Sequence, residues 1–316
     1  MRSLFLVLSV VVAIVATTGS GQSNDQPAIL STGNIDSGTV RIDGFNMPYL
    51  TEGSGRPCIF VGIRNRHSRT LSARFKSQVR CTFVDTRAYI PTAVAQRDTP
   101  YSVDAAVGDI EAVRRALHIP KLVIMGNSIG GTIAIAYARR YPDRVSQVIA
   151  ICPPLESSPV VDSLTEAYWK LNASPGRKAA YKRSQAALTQ DSLKKLSSRD
   201  AFIASIVSEA AQRWYDSTYD ESWLWPGVEF NSPLANQLYS NYSLLKDSSQ
   251  IQPPVFLALG RHDYVCPLTV WERHRQLFRD VTINIFERSG HTPQLEEAEK
   301  FDAAVLGWLS TTDKSR

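Results

Sequence analysis

The sequence predicts an α/β fold in which a mainly parallel, doubly wound sheet carries an inserted helical cap. Three observations lead there. Short apolar runs of strand type alternate with helix-type stretches over residues 35–151, and the alternation returns over 253–309. Between them, residues 155–252 lose the β-branched runs and become rich in Ala, Ser, Lys, Gln and aromatic residues. One Gly-x-Ser-x-Gly, Gly126-Asn127-Ser128-Ile129-Gly130, falls where a strand must turn at once into a helix. Strands alternating with helices imply a parallel sheet covered on both faces. At 316 residues the chain is long enough for one large α/β domain with an insertion. The expected plan is a signal peptide over 1–22, core over 23–154, cap over 155–252 and core again over 253–316.

The elements follow in order. Residues 1–2 are a short positive start, 4–16 are apolar apart from Ser9, and small then polar residues follow. That is the layout of a secretory leader, and the apolar run is short for a membrane span. Export to the periplasm or the medium is expected, with an uncleaved N-terminal anchor as the alternative. Residues 35–42 and 47–51 read as two strands around Asp43-Gly44, a hairpin signal. Residues 58–61 and 81–85 are buried-type strands, with a helix expected over 71–78. Over 103–117, Val103, Ala106, Val107, Ile110, Val113, Ala116 and Leu117 share one helical face. Asp104, Asp109 and Glu111 lie toward its start and Arg114 and Arg115 toward its end, as the helix dipole favours. Residues 121–125 form the strand before Ser128, 131–140 the helix after it, and 145–151 a strand stopped by Pro153-Pro154. Helical stretches are expected in the cap over 162–171, 176–188 and 200–215. Beyond Pro253-Pro254 come a strand (255–259), a helix (268–278), a strand (282–286) and a helix (297–309).

The formal charge of +5 is scattered, with no Lys/Arg run that would argue for nucleic acid. Export would make disulfides possible among Cys58, Cys81, Cys152 and Cys266. Four cysteines allow three full pairings. At most one bridge is expected, and Cys152 with Cys266 is the pair to test, since both follow strands that should end on the same side.

The Gly-x-Ser-x-Gly spelling suits a particular chemistry. A tight strand-to-helix turn lifts the Ser128 hydroxyl over the sheet edge, and side chains at 126 or 130 would block the turn. A serine hydroxyl is a weak nucleophile unless a neighbouring base takes its proton. His291, in Ser289-Gly290-His291-Thr292, belongs to a loop after the last strand and could reach back to Ser128. Asp263, in Gly260-Arg261-His262-Asp263, could orient that imidazole and stabilise its charged form. The plain alternatives are a solvated loop histidine and a turn-forming aspartate. His67, His118, His262 and His274 are poorer candidates for the base. Asp85 reads as a loop cap rather than a nucleophile.

With these residues in hand, the chain resembles the α/β-hydrolase superfamily over nearly all of its length after the leader, and proline-iminopeptidase-like and esterase-like members in particular. Ser128, Asp263 and His291 occur in the chain order of that superfamily's triad. Gly260-Arg261-His262-Asp263-Tyr264-Val265-Cys266-Pro267 is similar to the acid loop of iminopeptidases. Gly126-Asn127-Ser128-Ile129-Gly130-Gly131, with Tyr141-Pro142-Asp143-Arg144 after its helix, is similar to the elbow of carbon–carbon bond hydrolases. Val84-Asp85-Thr86-Arg87 echoes the group's Asp-x-Arg loop without its usual glycines. The resemblance implies that Ile129 N–H is one oxyanion donor and that Ile63 or its neighbour supplies the second. The chain departs from the pattern here: Val61 stands where a histidine is usual, and Arg64-Asn65-Arg66-His67 follow. Glu156 is the runner-up for the acid, since some members place it after the preceding strand.

The implied chemistry is acylation of Ser128 by a small-molecule ester or an N-terminal aminoacyl amide, then hydrolysis, with no cofactor or metal. A serine at the elbow argues against chemistry that needs a carboxylate there. The alternatives are a non-catalytic ligand-binding member of the fold and a carbon–carbon bond hydrolase. The partner expected is a small molecule or short peptide, with a membrane only if the leader stays attached. Trp214, Tyr215, Trp223, Trp225, Phe230, Tyr239 and Tyr242 give the cap an aromatic surface, either its own core or a pocket lining. Cap acids such as Glu209, Glu221 and Glu229 could bind a substrate amine. Arg64 and Arg66 read as a solvated loop, or as holders of a substrate carboxylate.

Overall fold

The computed structural model describes residues 35–91 and 100–313; the expected leader lies outside them. Eight strands form one sheet in the order β1-β2-β4-β3-β5-β6-β7-β8: β1 Asp36–Ile42, β2 Phe45–Glu52, β3 Arg56–Gly62, β4 Val79–Asp85, β5 Leu122–Asn127, β6 Val145–Ile151, β7 Val255–Gly260 and β8 Val281–Phe286. β1 and β2 are antiparallel, and β2 runs antiparallel to β4. From β4 through β3, β5, β6 and β7 to β8 every pairing is parallel. The hairpin between β1 and β2 turns on Asp43 (φ 49°) and Gly44 (φ 82°). Two successive positive φ values suit a two-residue turn whose twist matches the strands.

The inner strands are apolar on both faces because both faces are covered. Along β3, Ile59 and Val61 pack into one core with Ile124, Val107, Ile110 and Ile133. Cys58 and Phe60 face the other, with Phe83, Val123, Met125 and Phe301. The first core is closed by helix Val103–Ala116, whose Ser102 side chain accepts from Ala105 N–H, and by helix Ile129–Arg140. Arg87, of the Asp-x-Arg loop, reaches Asp109 on the first of these helices (2.6 and 2.9 Å) and Asp43 in the hairpin (2.9 Å).

Several helices are shorter or more broken than their composition suggests. The helix expected over 71–78 is only Ala73–Lys76, started by Ser72. That over 268–278 is Leu268–Glu272 followed by a 3-10 turn, Arg275–Leu277. The stretch 200–215 divides at Glu209 into Ser198–Ser208 and Ala210–Arg213. A short helix, Arg64–Ser68, and a cap helix, Ser232–Ser240, were not foreseen. Helices Pro159–Asn172 and Pro175–Ala187 each begin with a serine cap and a proline in the first turn. Cys152 and Cys266 are not joined. All four cysteines are buried free thiols, and Cys152 Sγ is turned toward the carbonyls of Ala258 and Gly290 instead.

The cap segment 221–228 is clipped to helix Arg64–Ser68. Asn65 Nδ2 donates to the Gly227 carbonyl, and Arg69 donates to those of Leu224 and Pro226. Arg66 bonds Glu221 at 2.6 Å, with its guanidinium over the Trp225 ring. The Glu221 side chain is 0% exposed and that of Arg66 7%. A buried pair need not stabilise the fold in net terms, but removing one partner leaves an uncompensated charge. Glu221→Ala is therefore expected to cost about 3–5 kcal/mol. Chemical denaturation should show a lower midpoint with an unchanged slope, and the double variant Arg66→Met/Glu221→Leu should recover most of the loss.

Candidate active site

The site is assembled from the carboxyl ends of β3, β5, β6, β7 and β8. Ser128 follows β5 with φ 55° and ψ −133°, a backbone that side-chain-bearing residues rarely adopt and that stores about 1–3 kcal/mol of strain. Its N–H donates to Ile151 at the end of β6, and its carbonyl accepts from Gly131 and Thr132 in the helix that follows. The flanking glycines are sterically required. A Cβ at 126 would lie 2.2 Å from the Gly130 backbone, and one at 130 would lie 2.2 Å from the Val61 carbonyl. The helix leaves its first amides, beginning with Ile129 N–H, without helical acceptors.

Asp263 and His291 leave β7 and β8. His291 Nδ1 bonds Asp263 Oδ2 at 2.7 Å, with Asp263 0% and His291 3% exposed. The other carboxylate oxygen accepts the N–H groups of Val265 and Cys266, both at 2.9 Å. Asp263 is thus fixed from two sides, and the bond at Nδ1 sets the neutral tautomer with a lone pair at Nε2. The Asn127 side-chain amide donates to the His291 carbonyl at 3.0 Å, which holds the histidine loop against the residue preceding Ser128. The His291 N–H donates to the Arg213 carbonyl in the cap. His291 Nε2 is buried with no hydrogen-bond partner, so it is not bonded to Ser128 Oγ here. Glu156, the runner-up acid, is engaged by the hydroxyls of Ser158 and Ser243, both at 2.7 Å.

The β3 loop departs from expectation. Ile63 N–H, expected as the second oxyanion donor, donates to His67 Nδ1 at 2.9 Å. The neighbouring Arg64 N–H is held by Asp85 Oδ1 at 2.6 Å. His67 is 4% exposed, stacks on Phe60, and fills the space where a Cβ on Gly62 would lie 2.5 Å away. Burial pushes its pKa well below the usual histidine value, and the charge of Arg66 adds to this. The neutral ring can therefore accept the amide. The placement of His67 four residues after Ile63, beyond a glycine, was the only sequence signal for this role. His118 is exposed in the left-handed conformation (φ 52°) at a helix end, His262 contacts Tyr215 and Tyr264, and His274 bonds the Val270 carbonyl.

Arg64 and Arg66 are not solvated: the first pairs with Asp85 and the second with Glu221. Glu209 is bound to Arg213 at 2.8 Å, while Glu229 is exposed. Of the cap aromatics, Trp214 and Trp225 are buried, Phe230 stacks on Phe202, and Tyr239 shares a 2.6 Å hydrogen bond with Tyr89. Tyr215 and Trp223 are exposed.

Glu296 escaped the sequence reading. Its carboxylate accepts N–H groups from Gly290 and Thr292, on either side of His291, and from Tyr215 in the cap. Burial raises its pKa to about 7.

The profile of the alpha/beta hydrolase fold family matches residues 46–298. The chain is 31% identical over 277 residues to the AB hydrolase superfamily protein YclE of Bacillus subtilis, covering 86% of this chain and 98% of that protein. It is 27% identical over 226 residues to a 2-hydroxy-6-oxo-2,4-heptadienoate hydrolase of Pseudomonas putida, covering 67% and 72%. The solved structure of the proline iminopeptidase of Mycobacterium smegmatis superposes with a TM-score of 0.63 at 19% identity, covering 89% and 99%.

Two outcomes follow from this geometry. His67→Phe keeps the stack on Phe60 but strands the Ile63 N–H, and is expected to cost about 1–3 kcal/mol. His67→Asn, which offers an oxygen near the Nδ1 position, should recover part of that in thermal unfolding. Folded Glu296 retains a proton that the unfolded chain releases near the usual value of 4.5. Its contribution to stability is therefore full below that pH and is lost as pH rises through about 7. In Glu296→Gln the corresponding fall in Tm between pH 5 and 8 should flatten.

Proposed function

The chain belongs to the alpha/beta hydrolase fold family and is a hydrolase, and from that premise we propose that it is a serine hydrolase acting through an acyl-enzyme. The observation that carries this reading is the buried 2.7 Å bond between His291 Nδ1 and Asp263, which leaves Nε2 unpartnered in a loop that the side chain of Asn127, the residue before Ser128, holds by its main chain. In the proposed cycle, Nε2 takes the Ser128 Oγ proton as the oxygen attacks a carbonyl carbon. Asp263 stabilises the resulting imidazolium, and Ile129 N–H donates to the oxyanion. The same proton passes from Nε2 to the leaving group, and a water activated in the same way releases the acyl group. The missing bond between Ser128 and His291 suits an enzyme without substrate, since such bonds often tighten only in the complex.

Small esters are the favoured substrates. Binding the ammonium of an N-terminal residue calls for an available carboxylate held at the site; Glu221 and Glu209 are each neutralised by an arginine, and Glu229 is exposed at the surface. One observation supports a second reading, a carbon–carbon bond hydrolase acting on a carboxylate-bearing substrate. Arg66 Nε is buried without an acceptor, a donor that an anionic group could satisfy. Rates with p-nitrophenyl esters, prolyl and alanyl anilides and a 2-hydroxy-6-oxo-dienoate separate these readings. Ester turnover is expected to dominate, and dominant dienoate or anilide turnover would displace it. Export of the chain is part of the proposal; mass spectrometry of protein recovered outside the cytoplasm should find a new N-terminus near residue 22.

Ser128→Ala and Asp263→Asn are each expected to lower kcat by about 10⁴ with folding intact. A fluorophosphonate should label Ser128 in the parent protein. Failure of the folded protein to label would favour a non-catalytic binder.

A further inference from the structure

Three successive parallel strands, β6, β7 and β8, deliver a sulfur, an oxygen and a nitrogen to one buried point at their carboxyl ends. Cys152 follows β6, Asp263 follows β7 and His291 follows β8. One ligand atom from each lies within 4.8 Å of the other two. Cys152 and Asp263 are 0% exposed and His291 3%. Among the described residues no other His, Cys, Asp or Glu group of three has this spacing. Cys152 holds an unusual backbone for a residue with a side chain (φ 43°). Its Sγ makes weak contacts, 3.6 Å each, to the carbonyls of Ala258 and Gly290.

A thiolate, an imidazole and a carboxylate are the donor types that soft and borderline dications take, and three protein ligands with an open fourth position are a common zinc arrangement. We propose that Cys152, Asp263 and His291 form a site for a single thiophilic dication, Zn²⁺ or Cd²⁺, and that the bound ion switches the hydrolase off.

The proton balance explains the inactivation. In the metal-free state Cys152 carries its thiol proton, and the imidazole proton sits on Nδ1, toward Asp263. Binding forms metal–Sγ, metal–Nδ1 and metal–Oδ bonds. The thiol proton is released to solvent, and the imidazole proton moves from Nδ1 to Nε2. The dication offsets the charges of the thiolate and the carboxylate, so the buried cluster passes from a net charge of −1 to neutral. With a proton on Nε2, the imidazole has no lone pair to accept the Ser128 hydroxyl proton. The site itself is independent of the serine-hydrolase reading; the inactivation rests on it. Because the ligands lie below the surface, onset should be slow.

The test uses the full chain in metal-free buffer. Titration with Cd²⁺ should give a sulfur-to-cadmium charge-transfer band saturating near one equivalent. Cadmium NMR of the parent protein should report one sulfur ligand rather than two, which does not depend on any variant folding. Tens of micromolar free Zn²⁺ should lower ester turnover at least about tenfold over minutes, reversibly with EDTA. In Cys152→Ser the band should vanish and Zn²⁺ should cause less loss, measured against that variant's own metal-free rate. Cys266→Ser and Cys58→Ser/Cys81→Ser should keep both responses.

A band that persists in Cys152→Ser, or a two-sulfur cadmium signal, overturns the site and points to Cys58 and Cys81. A cadmium band with undiminished turnover overturns the inactivation step alone. Failure of fluorophosphonate labelling overturns the serine-hydrolase reading, and the cadmium band still reports on the site.

Discussion

The close approach of bare backbones at the carboxyl edge of the sheet is the constraint on which the rest of this structure depends. A Cβ at Gly260 would lie 1.9 Å from the Gly290 carbonyl, and one at Gly290 would lie 2.1 Å from the Arg213 carbonyl. The glycines of the elbow meet Val61 and one another at similar range. Loops from four strands and the cap can therefore stack with no side chains between them. That is how Asp263 comes within hydrogen-bond distance of His291, and how the Asn127 amide reaches the histidine loop. Close packing leaves little room for relaxation, so the geometry is held by sterics as much as by hydrogen bonds.

Electrostatics around this edge is organised by pairing. Arg64 with Asp85, Arg66 with Glu221, Arg213 with Glu209 and Arg87 with Asp109 each bring a guanidinium to a carboxylate on another element or one turn away. Arg213 does two jobs, since its carbonyl also receives the His291 N–H. The cap is thus joined to the histidine loop through the main chain and to the β3 loop through a buried ion pair. Glu296 adds a third tie, from Tyr215 to both neighbours of His291.

What could be read from the sequence, and what could not, divides along physical lines. The sharp turn at Ser128 was legible because its close backbone approaches leave room only for glycine at 126 and 130. Asp263 and His291 were legible through their order and their loop contexts. The inner strands were legible because burial on both faces makes them continuously apolar. The partner of the Ile63 amide was not legible, because it depends on how five residues fold into a helical turn too short to show periodicity. Nor was the Arg66–Glu221 pair, whose members lie 155 positions apart and look like ordinary surface charges. Helices 71–78 and 268–278 were read too long because composition continues past the point where tertiary contacts end them.

The clip between residues 221–228 and helix Arg64–Ser68 fixes one corner of the cap to the loop after β3. The same short helix bears His67, whose ring grips the amide at the end of β3. Lifting that corner of the cap would drag on the strand terminus beneath it, and the opposite limb of the insertion is tied down as well: Tyr168 donates to the Arg261 carbonyl, Tyr264 to the Asn172 carbonyl, and Arg177 to the carbonyls of Ala211 and Trp214.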